Sequence, residues 1–560
     1  MTMRPVSVYA MFAVFAAILT LGPSLPLSAQ DERGGATSGP EAPDDTEIKL
    51  PELLLQVEEA ELERVQAELP ETAEARLGEV GIPLPTESEL AISPAAFEVP
   101  GLDEGEAVAT GAGPGVSLYS DAVLGLGSMN QILGSLSLYR LGDQPRFRLQ
   151  FSHEGRDGYN FEEPGTGYFD RTEELSGWIE GGERTTTRFE GGFIEQERGL
   201  QGQPTFFSTK SRFLDAKVEL DTPFGDRYRF SPRIEGGYAE RLRTVTDESQ
   251  APAGAESFVN PGARVGVETT PGTFYADAQY LLRYLDDDED GLSQGLGLSL
   301  GADLLLGRQV SAGAEVGVLW PFEDYVYVPF SLRVSATPAE ALTLSLGGGM
   351  EAAPVRFSER WQETPTFATT AADGDVPGWY EEWYATAGLL IDVPDAPLSA
   401  EVSGRAAWKH DVPDLLGYVP AAGETGYTLE DRLSVTPEAS MRWDFAPVGI
   451  EAGWQSFLLD RAEIEPRHAG RLAVDIRNAE ETLGARGDLR AELYDDVEMP
   501  QLDLSAYIDV SEAVRISTDV LDVLSPLMPD GRARYGGEAT EDFPFVEPGF
   551  RVVIKTRVSL

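Results

Sequence analysis

The 560-residue chain contains no cysteine, only 3 histidines, and 43 Lys and Arg against 95 Asp and Glu. The lack of thiols excludes a disulfide framework, a cysteine-based zinc site and a cysteine nucleophile, so folding must rest on backbone pairing and side-chain burial. A formal net charge of −52, without clusters of Lys and Arg, leaves little to neutralise phosphates and removes DNA and RNA as partners. After the signal-like N-terminus no apolar run reaches the ~18 residues that mark a helical membrane span. There is no G-x-S-x-G elbow, H-E-x-x-H helix or Walker loop. His153, His410 and His468 stand alone in the sequence, so no metal, cofactor or enzymatic activity is expected. Asp286, Asp288 and Asp290 followed by Gly291 imitate the first half of a calcium loop, but the twelfth position is Gly297 rather than glutamate. That stretch reads as an exposed acidic loop.

What is present divides the chain in three. Arg4 is the only charge before Asp31, an apolar stretch runs from Val8 to Leu21, and Leu27-Ser28-Ala29 offers a cleavage site. Residues 1–29 therefore read as a secretory signal peptide. Residues 30–112 hold 21 acidic and 4 basic side chains. Their first part, 31–47, is Gly, Pro and acid with almost nothing to bury, as in a disordered tether. Pro51 to Leu69 (PELLLQVEEAELERVQAEL) predicts one helix, opened by Pro51, stopped by Pro70 and carrying a modest apolar stripe of Leu55, Leu62, Val65 and Leu69.

From about residue 113 the hydrophobic period becomes two and stays there. In Leu483 to Tyr494, Leu483, Ala485, Gly487, Leu489, Ala491 and Leu493 alternate with Arg486, Asp488, Arg490 and Glu492. Leu502, Leu504, Ala506 and Ile508 do the same against Asp503, Ser505, Tyr507 and Asp509, and Leu472, Val474 and Ile476 against Arg471, Asp475 and Arg477. Such alternation puts successive side chains on opposite faces of a strand. Segments of this kind, from 116–126 to 549–560, number about 22, with a range of about 18 to 24, and short connections after even strands alternate with mostly longer ones after odd strands. Two odd connections, at 127–129 and 496–498, break that rule by being short.

One face is too rich in Arg, Asp and Glu to be a protein core, while the other is almost purely apolar or glycine. A soluble sandwich buries its apolar face inward, whereas a membrane barrel turns it to lipid and keeps polar groups around water. The fold expected is an all-β, transmembrane, antiparallel up-and-down barrel over 113–560, with 30–112 as a short acidic periplasmic or lumenal extension. Aromatics including Tyr119, Tyr139, Trp178, Trp320, Trp379, Trp383, Trp408, Trp443 and Trp454 fall toward strand ends, where a membrane barrel carries its girdles.

Two stretches carry a family resemblance. The chain ends on Val552, Ile554, Thr556, Val558 and Leu560 alternating with Arg551, Val553, Lys555, Arg557 and Ser559. This is similar to the terminal strand of bacterial outer-membrane barrels, which implies recognition by the barrel-assembly machinery, although Leu560 stands where such strands usually end on an aromatic. The run from Ile92-Ser93-Pro94 through GVSLYSDAVLGLGSMNQILGSLSLYRLGDQPRFRLQFSHEG resembles the opening of the barrels of TonB-dependent outer-membrane receptors, whose strand number is also 22. The resemblance implies a location in the outer membrane, with its lipid as partner. Residues 30–112 are too few and too acidic for that family's plug domain, so energised uptake is not implied. An unplugged barrel of this size would leak, which makes 352–381, 522–548 and 70–112 the segments expected to narrow it.

In the channel reading Arg146, Arg148, Glu451, Arg471, Asp475, Arg486, Asp488, Arg490, Glu492, Asp503 and Asp509 line the lumen and select permeants by charge. The net acidity then predicts a preference for small polar or cationic solutes. Two other readings stand beside it: the same side chains pair across neighbouring strands and satisfy one another, or the barrel is a surface platform or adhesin acting through its long loops. The oligomeric state is not legible.

Overall fold

A computed structural model describes residues 118–560, apart from 143, 160–161, 246–248, 287–290, 323–324, 373–377, 394–396, 461–464, 495–498, 529–531 and 533–543. The predicted signal peptide, the acidic segment 30–112 with its helix, and most of the acidic 286–290 stretch lie outside the described residues.

The described chain is a ring of antiparallel strands. In order they are β1 (Leu118–Gly127), β2 (Gln131–Arg140), β3 (Arg146–Asp157), β4 (Phe169–Gly181), β5 (Thr186–Gly199), β6 (Phe206–Phe224), β7 (Tyr228–Val245), β8 (Gln250–Thr269), β9 (Gly272–Leu285), β10 (Leu292–Leu305), β11 (Val310–Pro321) and β12 (Phe330–Ala339). They continue as β13 (Leu342–Pro354), β14 (Trp379–Asp392), β15 (Leu398–Val419), β16 (Glu424–Phe445), β17 (Val448–Ser456), β18 (Leu458–Leu459), β19 (His468–Arg477), β20 (Leu483–Leu493), β21 (Gln501–Ser511), β22 (Val514–Leu521) and β23 (Arg551–Ser559). The two-residue β18 extends β17 along the same partner, β16, so the ring has 22 staves. Each stave pairs with its sequence neighbour, and β1 closes on β23 with Asp121 opposite Ser559 and Gly127 opposite Val553. Closure leaves no open edge around the wall, the condition for a sheet in lipid. One helix, α1 (Phe357–Glu363), lies between β13 and β14.

The two faces are distinguished by reach. Arg233 on β7 bonds Asp277 on β9 at 2.7 and 2.8 Å across the intervening β8. Arg486 on β20 reaches Glu451 on β17 at 3.0 Å across β19. Side chains meet over an intervening strand on the concave side of a curved sheet, so the charged face is interior. The opposite face carries Leu300, Leu346 and Ile554, 63%, 65% and 56% exposed. Charged residues therefore enclose the lumen and aliphatic ones face out, as the alternation predicts.

Connections sort by end. One end has turns of two to five residues (141–145, 182–185, 225–227, 270–271, 306–309, 340–341, 393–397, 446–447, 478–482, 512–513), and there Ser120 and Leu560 exchange backbone hydrogen bonds. The other has the longer loops 158–168, 286–291, 322–329, 355–378, 460–467 and 522–550, with shorter links at 128–130, 246–249 and 420–423. Two predicted loops are corrected. Most of 242–257 and 410–429 is strand, because β7, β8, β15 and β16 run on for 18 to 22 residues. A barrel strand needs only about 9–11 residues to cross a bilayer, and beyond that distance neither face has to be apolar. The period-two signal therefore fades (HDVPDLLGYV) while the pairing continues.

Outward aromatics form two levels. Tyr228 and Trp443 lie near the short-turn end, whereas Trp320, Trp383, Trp408 and Trp454 lie toward the other, all between 38% and 55% exposed. On β16 the residue facing Trp408 is Leu433, ten positions before Trp443. That is roughly 33 Å of strand, or about 25 Å of height at the tilt of a membrane barrel, which matches the apolar band such barrels present. The girdle expectation is corrected for three residues: by the same alternation Tyr119, Tyr139 and Trp178 lie on the interior face, and Trp379, at the very start of β14, packs against Tyr327 and Gly295. Glycines on the interior face make room for aromatics. A Cβ at Gly301 would stand 2.3 Å from the Tyr275 ring, and one at Gly484 would stand 2.4 Å from Tyr507, so these rings lie flat across bare backbone.

The face assignment has a direct test at adjacent positions of β10. Leu298→Arg, pointing outward near mid-strand, is expected to destabilise the barrel in lipid by about 2–4 kcal/mol. Ser299→Arg, pointing into the lumen, is expected to cost under about 1 kcal/mol; urea titration of the refolded barrel in liposomes distinguishes them.

Candidate functional site

All the sequence-selected residues lie on the interior face, and most are joined in one network. Arg486 bonds Asp475 at 3.2 Å and Glu451 at 3.0 Å. Asp488 is held by Arg471, with Arg490 at 3.4 Å and Arg486 at 3.7 Å. Asp503 accepts from Gln501 at 3.2 Å and from the backbone of Asp522 at 2.8 Å, with Arg490 at 3.9 Å. Glu451 is shared with Arg442 at 3.7 Å, and Arg515 holds Asp509 at 2.6 and 3.0 Å. Arg146 and Arg148 are apart from this group on β3, where Arg146 pairs with Glu180 and Arg148 bonds Gln150 at 3.1 Å. The cross-strand pairing weighed against lumenal selectivity is thus present throughout. Its cause is geometric: at one residue in two, on strands under 5 Å apart, opposite charges are the natural neighbours.

A concavity of about 330 Å³ opens beside this network. Among its lining residues are Glu401, Glu438 and Glu492, with Arg471 and Arg490. Both arginines lean on Asp488. Glu438 accepts from Gln455 at 2.8 Å and Glu492 from the Tyr494 hydroxyl at 3.0 Å. Neutral donors leave the carboxylate charge in place, so the concavity is negative.

The long-loop end of the lumen is crossed by protein, a feature the alternation could not show. The described part of the 352–381 loop, 355–372, turns inward, as expected. Glu256, buried on β8, accepts the Phe357 and Ser358 amides at 3.2 and 2.8 Å, satisfying the first turn of α1. Trp361 and Phe357 are fully buried beside Phe213, Ala239, Leu285, Phe367 and Tyr427. Residues 366–372 then run along the free upper edge of β16: Thr425 N donates to Thr366 O at 2.7 Å, Ala368 N to Thr425 O at 3.1 Å and Ala372 N to Tyr427 O at 2.9 Å. The Phe367 and Tyr427 rings stack at 4.5 Å.

The hairpin of β15 and β16 bends over the opening as well. Its pairing is interrupted between Lys409 and Val412 and between Leu415 and Gly417, and a β-bulge bends the strand that carries it. The tip arrives at β7, nine staves away in a ring of 22. There Glu424 accepts from Arg241 at 2.6 Å and from Arg243, and Arg243 also donates to Ala422 O at 2.5 Å. Arg241 is 1% exposed; it donates to Ala253 O at 2.7 Å and to Phe367 O, over the Trp361 ring. Tyr418 packs edge-on to Phe545 at 4.8 Å, with Leu200 and Phe206 alongside. Gln201 bonds Val546 in both directions at 2.9 Å. Phe545 and Val546 of the 522–548 loop therefore join the closure as expected.

Sequence reasoning missed Arg241, Arg243, Glu256 and Glu424, which read as ordinary strand charges. The available signal was apolar: Phe357, Trp361 and Phe367 in the long loop expected to narrow the lumen. Each histidine has a neighbour on the outward side. His153 lies 3.3 Å from Glu173, His468 bonds Ser456 at 2.5 Å, and His410 is bracketed by Asp431 on Nδ1 and Asp411 on Nε2, the latter at 3.3 Å.

Removing Arg486 would leave Asp475, 9% exposed at its side chain, without its bonded cation. Arg486→Ala is expected to destabilise the barrel by about 1.5–3 kcal/mol. Adding Asp475→Asn is expected to recover part of that loss, and a double-mutant cycle on urea midpoints measures the coupling.

No protein-family model matches the chain, and no curated protein matches it in sequence. Solved structures match it in shape. The ferric enterobactin receptor PfeA from Pseudomonas aeruginosa, in a mutant form, gives a TM-score of 0.59 at 11% identity, covering 80% of this chain and 81% of that one. The copper transporter OprC gives 0.59 at 13%, covering 80% of each chain. The siderophore receptor PirA from Acinetobacter baumannii gives 0.59 at 8%, covering 80% and 81%. At such identities the likeness is one of fold: the chain is a closed 22-stave barrel resembling those of TonB-dependent receptors.

Proposed function

We propose that this protein is an outer-membrane transport barrel that passes small polar solutes, with a preference for cations. The observation that carries the reading is the inversion of the faces: an aliphatic exterior with two aromatic levels about 25 Å apart, around an interior of ion pairs. A water-filled conduit through lipid needs this distribution, and a soluble protein has no use for it. The short turns then face the periplasm and the long loops the outside, the arrangement of bacterial barrels. The fold likeness to receptors and a copper transporter supports transport as the general role.

Cation preference follows from the field. Residues 113–560 carry a net charge of −36, and the concavity with Glu401, Glu438 and Glu492 places acid on the lumen wall. Rings and patches of carboxylate concentrate cations and repel anions over a Debye length. No enzymatic step is part of this reading.

Planar-bilayer recording on the refolded mature chain tests it. In a salt gradient the reversal potential is expected to lie toward that of the cation, and Glu401→Gln, Glu438→Gln and Glu492→Gln together are expected to move it toward zero. Silence from a barrel shown to be folded by its heat-modifiable gel mobility would overturn transport and favour a surface platform.

A further inference from the structure

We propose that His410, Asp411 and Asp431 form a site for a first-row divalent metal ion such as Zn²⁺, on the outward face of the barrel just beyond the aromatic level that holds Trp408. The site lies outside the lumen and goes beyond the transport reading.

A break in strand pairing brings the three donors together. Along β15 and β16, Lys409 faces Arg432 and Val412 faces Glu430. Between those pairs β15 carries His410 and Asp411, whereas β16 carries Asp431 alone. Two residues opposite one is the count of a β-bulge, and Asp411 takes the left-handed backbone, φ +52°, that an aspartate tolerates. The alternation that points Trp408 outward points His410 outward two residues later, and the bulge sets Asp411 beside it rather than behind it. His410 stands alone in the sequence, 21 positions from Asp431, and only the fold joins them.

The product is an imidazole flanked by carboxylate on both nitrogens, Asp431 at Nδ1 and Asp411 at Nε2, the latter 3.3 Å away. One ligand atom from each residue lies within 4.8 Å of the other two. Around Zn²⁺, with bonds of about 2.1 Å, tetrahedral ligands stand about 3.4 Å apart, so side-chain rotation is enough to seat an ion. The chain has 95 acids, yet among the described residues no other group of three His, Asp or Glu side chains converges in this way. His153 has one carboxylate beside it and His468 a serine hydroxyl. The convergence is therefore particular to this bulge and not a by-product of acidity.

Charge points to a cation as well. Where acids crowd on the outward face of β5, basic side chains answer them: Glu195 is held by Lys210 and Arg212, each at 2.7 Å. Among the described residues Asp411 and Asp431 have His410 as their one charged partner. Glu381 faces His410 from β14 and accepts from the Trp383 indole at 2.7 Å and the Tyr325 hydroxyl at 3.0 Å, neutral donors that leave its charge in place. Three carboxylates thus surround one imidazole. A set containing imidazole suits first-row ions, whereas Mg²⁺ and Ca²⁺ take oxygen. On loading, the ion takes one ring nitrogen and the proton held there passes to water. All three side chains are a third to a half exposed, so the ion enters directly from solvent.

Zn²⁺ titration of the untagged mature chain, refolded in detergent and competed against a chromophoric chelator, tests the site. One ion per barrel is expected. His410→Ala and Asp431→Asn are each expected to weaken binding by at least the ~10-fold that loss of a mere outer-shell partner costs, and His468→Ala to leave it unchanged, all three keeping heat-modifiable mobility. Location has its own readout that needs no ligand variant. The Trp408 ring stacks on His410 at 5.8 Å, so Cu²⁺ is expected to quench its emission, and Trp408→Phe to remove the quenched component. Equal Zn²⁺ affinity in the parent and in His410→Ala, no saturable binding, or quenching that survives Trp408→Phe would overturn the site. A barrel that binds the ion yet conducts nothing would overturn transport and leave the site standing.

Discussion

The structure depends on one constraint: every backbone amide and carbonyl in the wall must find a partner within the sheet. The pairing of β1 with β23 completes that ring, and side chains seal it, since Asp121 accepts from Arg557 at 2.7 Å and from Ser559 at 2.8 Å. With no edge left, the apolar face is free to meet hydrocarbon and the polar face must meet water. Location, lumen chemistry and the need for a closure at one end all follow from that division.

The interior is ordered by a second, subordinate rule. An acidic chain cannot simply line a lumen with carboxylates, because like charges on adjacent strands repel. Arginines are therefore spent where acids crowd: Arg486 serves Asp475 and Glu451 together, and Arg233 and Arg264 both serve Asp277. What remains uncompensated, around Glu401, Glu438 and Glu492, sets the sign of the local field. The same device in a drier place, Arg241 and Arg243 on one glutamate, holds the mouth.

How much of this could be read from the residues depends on what each feature needs. The alternation in Leu483 to Tyr494 is imposed by lipid on one side and water on the other, so strand, face and number were legible. Beyond the membrane that pressure ends. Asp411 to Tyr427 pairs as a hairpin although both its faces are mixed, and it reads as a loop. The meeting of Glu424 with Arg243 was invisible for a different reason: it joins residues nine staves apart, and no local pattern encodes a contact made by bending. Trp361 and Phe367 were the one trace, as large apolar groups where a solvated loop has no need of them.

The unequal strand lengths have a consequence of their own. β1 and β2 have 10 residues each, while β15 and β16 have 22. The wall of the barrel is therefore uneven about its own axis, tall where β15 and β16 run on past the membrane and low at the corner where the ring begins.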